Sequence, residues 1–142
     1  MDYELSFDRA RMQIDVIHGY LRRSYWSPGI RREIVERAIA GSIVLGVFER
    51  TTGAQVAFAR VISDCATFAY LCDVFVLEAH RGRGLSKRMM AALLADERFR
   101  TVRRWCLATA DAHGLYRQFG FGPVPDGRWM ELRRPTSAWA EE

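Results

Sequence analysis

Lysine is nearly absent from this 142-residue chain: Lys87 stands alone, and arginine supplies almost all of the positive charge behind the formal net charge of +4. Arginine favours planar, two-point contacts with phosphate or carboxylate, so an anionic small ligand or a nucleic acid would each suit this surface. Cysteine is scarce too. Cys65, Cys72 and Cys106 form an odd set without a C-x-x-C pair or a histidine cluster, which argues against a disulfide framework or a zinc site. No metal is expected, and the thiols should be reduced and mostly buried. No stretch approaches the roughly 18 uninterrupted apolar residues of a membrane span, since even the run 68–77 contains Asp73. The first residues carry Asp2, Glu4 and Asp8 where an export signal needs basic residues and then an apolar run, so the expected location is cytoplasmic, with no membrane partner. Repeats, low-complexity tracts and long linkers are missing as well, which leaves one domain over residues 1–142.

What is present is ordinary globular composition, 49% hydrophobic and 27% charged, in a chain long enough to bury a core without staples. Ile14, Ile17 and Leu21 recur at helical spacing within 8–23, and an aromatic loop containing Tyr25, Trp26 and Pro28 breaks the pattern. A second helix is expected over 31–40, with Gly41 as its stop. Three β-rich runs follow at 42–49, 55–62 and 67–77, the first two joined by a turn through Gly53, so this block reads as an antiparallel meander. After Gly84 the period becomes helical, with Leu85, Met89, Ala92 and Leu93 on one face. A buried strand at 105–109, a short helix at 113–119 and a last strand at 129–132 complete the reading. The strand, helix and strand centred on Val74, Met89 and Leu107 form a right-handed crossover, which makes those two strands parallel within an otherwise antiparallel sheet.

Between that central strand and its helix lies Arg81, Gly82, Arg83, Gly84, Leu85, Ser86. Glycine lets the backbone approach a ligand closely, and the open amides of the helix start favour phosphate, with Arg81, Arg83, Lys87 and Arg88 adding positive charge. The loop is neither a GxxxxGK[ST] P-loop nor a dinucleotide fingerprint, because Arg81 stands where the latter needs glycine. It does read R-x-x-G-x-[G/A] with serine last. The stretch from Asp73 through Val74, Phe75 and Val76 to that loop and Lys87 resembles the signature of the GNAT N-acetyltransferase superfamily. A second motif, Tyr116 followed by Gly120 and Phe121, resembles the Y-x-x-x-G-F that closes the family's acetyl-coenzyme A site.

The resemblance implies an α/β fold: a mixed, mostly antiparallel sheet with flanking helices, in which two parallel strands splay apart and the pantetheine arm of acetyl-coenzyme A inserts between them. Backbone groups of Val74, Phe75 and Val76 would then hold the arm by the logic of strand addition, and Arg81, Gly82, Arg83, Gly84, Leu85, Ser86 and Lys87 the phosphates. Many relatives have asparagine where this chain has Thr109, so the cofactor contact at Thr109 departs from the family pattern. The activity implied is transfer of the acetyl group to a primary amine of a small molecule or peptide by direct attack.

That chemistry needs an unprotonated amine, a polarised carbonyl and a proton for the departing thiolate. Tyr116 is the expected acid, since a phenol can hydrogen-bond a thiolate. Asp73, on the strand nearest the thioester, and His113, three residues before Tyr116, are alternatives for the base, with an ordered water chain a third route. Tyr25, Trp26, Phe68 and Tyr70 are candidates for an aromatic wall around the acceptor, because such faces suit cationic or apolar groups. Cys72 and Cys106 are read as packing. A non-catalytic acyl-coenzyme A sensor is the competing reading; a nucleic-acid module is weaker, because acids such as Glu33, Glu36, Asp96 and Glu97 interrupt the basic residues. A homodimer is compatible with the sequence but unspecified by it.

Overall fold

Apolar, largely buried runs at its centre set up a five-stranded sheet in the order β1-β2-β3-β4-β5, in a computed structural model that describes residues 2–125 and 127–141. Its strands are β1 (Tyr3–Ser6), β2 (Ile43–Glu49), β3 (Gln55–Ser63), β4 (Phe68–Val76) and β5 (Arg104–Cys106). Every neighbouring pair is antiparallel except β4 and β5, which are parallel, as the crossover through the intervening helix requires. The mixed sheet with one parallel pair therefore agrees with the expected fold class.

Helices cover both faces because each strand in the centre of the sheet is apolar on both sides. Val44, Phe58 and Phe75 face α1 (Ile14–Leu21) and α2 (Arg32–Ala40), packing with Ile17, Leu21, Val35 and Ile39. Leu45, Val47, Ala57, Ala59 and Leu71 face the other way, onto Leu85, Met89, Met90 and Leu93 of α3 (Leu85–Ala95). These four side chains are at most 2% exposed, and burying each contributes about 2 kcal/mol. A short α4 (His113–Arg117) carries Tyr116 into the same cluster. The longest helix, α3, has 11 residues, and no helix among the described residues is long and apolar enough to cross a membrane.

The sequence reading misses β1, whose four residues pair with β2 through Tyr3↔Glu49 to Ser6↔Gly46. Two expected elements shrink. The strand at 105–109 forms only over Arg104–Cys106, and the helix at 113–119 ends at Arg117. The last strand, at 129–132, does not form: Met130 and Leu132 are 91% and 81% exposed, and Trp129 lies against the Phe68 ring at 6.3 Å and under the Arg104 guanidinium at 4.6 Å. The cysteines, expected to be mostly buried, are half-buried free thiols.

Two features of β4 position the site. Its pairing with β5 spans only Phe68↔Arg104 to Tyr70↔Cys106, although β4 runs on to Val76. The two parallel strands thus part beyond Tyr70 and leave the far half of the β4 edge open. The second feature is a bulge against β3: Phe58 faces Phe75 and Arg60 faces Cys72, so three steps along β4 match two along β3. Asp73 takes up the extra residue in a left-handed conformation, φ +54°, which aspartate tolerates better than most residues.

Candidate active site

The open half of β4, the loop before α3, the start of α4 and the α1–α2 connection enclose a cavity of about 920 Å³. Val74, Phe75 and Val76 line one side and Arg81, Gly82, Gly84, Leu85, Ser86 and Lys87 one end; Tyr25 and Trp26 contribute from the connection and Tyr116 from α4. Nine of the sequence-nominated cofactor residues and three of the other candidates are therefore brought to one place.

At the loop end the backbone explains the motif. Gly84 is the N-cap of α3 at φ +75°, ψ 17°, a conformation that an L side chain adopts only with strain. The Arg88 N–H reaches the Gly84 carbonyl at 3.0 Å, so the N–H groups of Leu85, Ser86 and Lys87 belong to the open end of the helix. These donors, the positive helix end and Lys87 form a cradle suited to an anionic group such as a phosphate. Arg81 is engaged otherwise: its guanidinium donates to the Val76 carbonyl at 3.0 Å and the Tyr20 hydroxyl at 3.1 Å, bridging β4 to α1. Just before it, His80 shares a 2.8 Å hydrogen bond with the Tyr3 hydroxyl, which ties the loop to β1.

Opposite the loop, Tyr116 is 7% exposed and meets the Phe121 ring edge-on at 5.9 Å. The chain doubles back after α4, so that Phe119 and Phe121 N–H both reach the Tyr116 carbonyl, at 3.0 and 3.2 Å. This is the physical content of the Y-x-x-x-G-F spacing. Burial pushes the phenol above its ordinary value, with the nearby negative charge of Asp111 adding to the shift. Tyr116 is thereby a hydrogen-bond donor throughout the neutral range.

The aromatic wall is locally specified. Ser24 donates to the Leu21 carbonyl at 2.6 Å and accepts from Ser27 N–H at 3.0 Å, closing the turn that presents Tyr25 and Trp26. The Trp26 indole N–H donates to Asp73 at 3.0 Å, the Tyr25 and Trp26 rings meet edge-on at 5.1 Å, and Tyr20 stacks on Phe75 at 4.1 Å. Asp73 does not line the cavity. Its other oxygen accepts from Arg60 at 2.8 Å, and Arg60 also donates to Ser42 at 3.0 Å, so the carboxylate, 10% exposed, is part of a nearly buried ion pair.

The structure leaves the remaining candidates outside the cavity. Phe68 and Tyr70 stand at the paired end of β4, away from the opening; Arg83 and His113 are exposed. Thr109 accepts from Ala112 N–H at 3.0 Å and holds the loop before α4 rather than facing the cavity. Cys72 has its thiol pushed up to about 12 by burial, which fits packing. Residues missed by the sequence reading include Tyr20, Arg23, Glu78, His80 and Asp111. Each lies within a few residues in sequence of a nominated one, Tyr20 and Arg23 before Tyr25, Glu78 and His80 before Arg81, and Asp111 before Tyr116, but period and motif rules do not single them out.

Comparison with known proteins follows this geometry. The family model of the acetyltransferase (GNAT) domain matches residues 36–123, which hold β2 through the start of the segment after α4. The structure of a Xanthomonas campestris pv. campestris protein assigned to the GNAT acetyltransferases superposes with a TM-score of 0.90 at 46% identity, covering 96% of each chain. A Gibberella zeae protein named as an acetyltransferase is 28% identical over 134 residues, 81% of this chain and 76% of its own length. A chloroplastic protein of Oryza sativa subsp. japonica, named as serotonin N-acetyltransferase 2, is 34% identical over 70% of this chain and 52% of its own.

Proposed function

The chain belongs to the GNAT acetyltransferase family, and on that premise we propose that it is an N-acetyltransferase moving an acetyl group from acetyl-coenzyme A to a primary amine of a small molecule or peptide. The observation that carries this reading is the cavity that joins the open β4 edge, the amide cradle at Gly84 and the buried side chain of Tyr116. The name of the matched rice protein supports an amine as acceptor.

Acetyl-coenzyme A supplies an activated thioester. Within the cavity, the backbone of Val74 and Phe75 would offer strand-type hydrogen bonds to its extended arm, and the open amides of Leu85, Ser86 and Lys87 would hold its phosphates. Tyr116 would be placed to donate a hydrogen bond to the departing sulfur and so stabilise the charge that develops there. Tyr25 and Trp26 form the wall along which the acceptor lies. Asp73 acts here as a positioning group: both of its oxygens already accept hydrogen bonds, and protonating it would leave Arg60 without its counter-ion. Held in this way, Asp73 is not the group that takes the proton of the amine.

The test is to incubate the protein with acetyl-coenzyme A and a panel of amines, polyamines, amino acids and peptides while following free thiol. Thiol release that depends on one class of amine is expected. Tight acetyl-coenzyme A binding with no release across the panel would instead make the protein an acyl-coenzyme A sensor.

A further inference from the structure

We propose that Asp111 anchors the positively charged head of the acceptor, so that the substrate class is a cationic amine whose flat or apolar body lies along Tyr25 and Trp26. The proposal rests on the acetyltransferase reading above. Among the described residues the cavity lining holds two carboxylates, Glu78 and Asp111, against the cations Arg23, Arg81 and Lys87. A cationic acceptor therefore needs a local negative charge to enter. Glu78 lies beside His80 and Arg81, at the phosphate end. Asp111 lies at the reacting end, in the loop that leads into α4 and Tyr116.

That loop is held in place. Thr109 accepts from the N–H groups of both Asp111, at 3.4 Å, and Ala112, at 3.0 Å. The Tyr25 hydroxyl accepts from Ala110 N–H at 3.2 Å, so the aromatic wall and the loop that carries Asp111 are tied together. Asp111 makes no salt bridge among the described residues, although arginine is abundant; its charge remains available. The upward shift of the Tyr116 hydroxyl includes a contribution from Asp111, which agrees with the two groups sharing one end of the cavity. A carboxylate and two aromatic side chains lining one cavity can together recognise an ammonium, the carboxylate by charge and the rings by attraction over their faces.

Binding decides the matter independently of turnover. With the protein saturated with coenzyme A, calorimetric titration with 2-phenylethylamine and with uncharged 2-phenylethanol should show preference for the amine, weakening as salt is raised. Asp111→Asn should lose about 5-fold in affinity for the amine, lose most of the salt dependence and bind the alcohol as before, while Asp111→Glu restores much of the preference. Unchanged coenzyme A affinity in the variants shows that the cavity is intact. Equal amine affinity in wild type and Asp111→Asn, or no preference of the wild type for amine over alcohol, would overturn the proposal. Failure of the acetyltransferase reading shows separately, as absence of thiol release.

Discussion

Replacing Gly84 with alanine tests whether the loop before α3 is a ligand cradle or only a tight turn. A Cβ built at Gly84 meets nothing within 4 Å, so the substitution clashes with no part of the protein. Its cost in the free protein is conformational: holding alanine at φ +75° costs about 1–2 kcal/mol, offset in part by the smaller freedom of alanine in the unfolded chain. The net loss is about 1 kcal/mol, or roughly 3 °C in Tm for a chain of this size. Gly53, in the β2–β3 hairpin, is the matched control, with φ +73° and again nothing within 4 Å of the added carbon. Both variants should lose similar Tm in a thermal scan. They should differ in calorimetric titration with coenzyme A, because only Gly84 lines the cavity. Gly84→Ala is expected to weaken binding about 10-fold, equivalent to about 1.4 kcal/mol, and Gly53→Ala to leave it within twofold. Equal coenzyme A affinity in the two variants would refute the cradle.

Other consequences follow from the same geometry. Tyr116→Phe should lower kcat by about 100-fold with coenzyme A affinity unchanged. Because the phenol is pushed up, its donating form persists below that raised value and is lost as pH rises through it; the wild-type alkaline fall in kcat should lie above about pH 10 and vanish in the variant. Trp26→Phe removes the N–H bonded to Asp73 and should raise acceptor KM several-fold with little change in coenzyme A affinity. Asp73→Ala strands Arg60 and should destabilise the fold by about 3 kcal/mol, visible in urea unfolding; a stable variant that lacks only activity would favour Asp73 as base. With its thiol near 12, Cys72 has roughly 10⁻⁴ thiolate at pH 8, so iodoacetamide should label it slowly in the native protein and readily in urea, followed by mass spectrometry.

Local chemistry was legible in the residues themselves. The β-rich runs, the switch to helical spacing at Leu85, the glycines of the loop and the tyrosine before Gly120 and Phe121 act over a few residues each, so period, turn and helix-end rules recover them. They sufficed for the mixed sheet with its parallel pair, while the family resemblance nominated the cofactor-side residues, nine of which line one cavity. Tertiary structure decided what depends on distant partners. β1 is too short to announce itself and exists because β2 offers it an edge; the run at 129–132 has strand-like residues but finds no ladder. Asp73 was a candidate base on its strand until the fold paired it with Arg60 and Trp26, while Asp111, which no motif singles out, lines the cavity because Thr109 and Tyr25 hold its loop there. A sequence carries the propensity of each residue, but the charge a carboxylate answers to is set by whichever segments the fold packs against it.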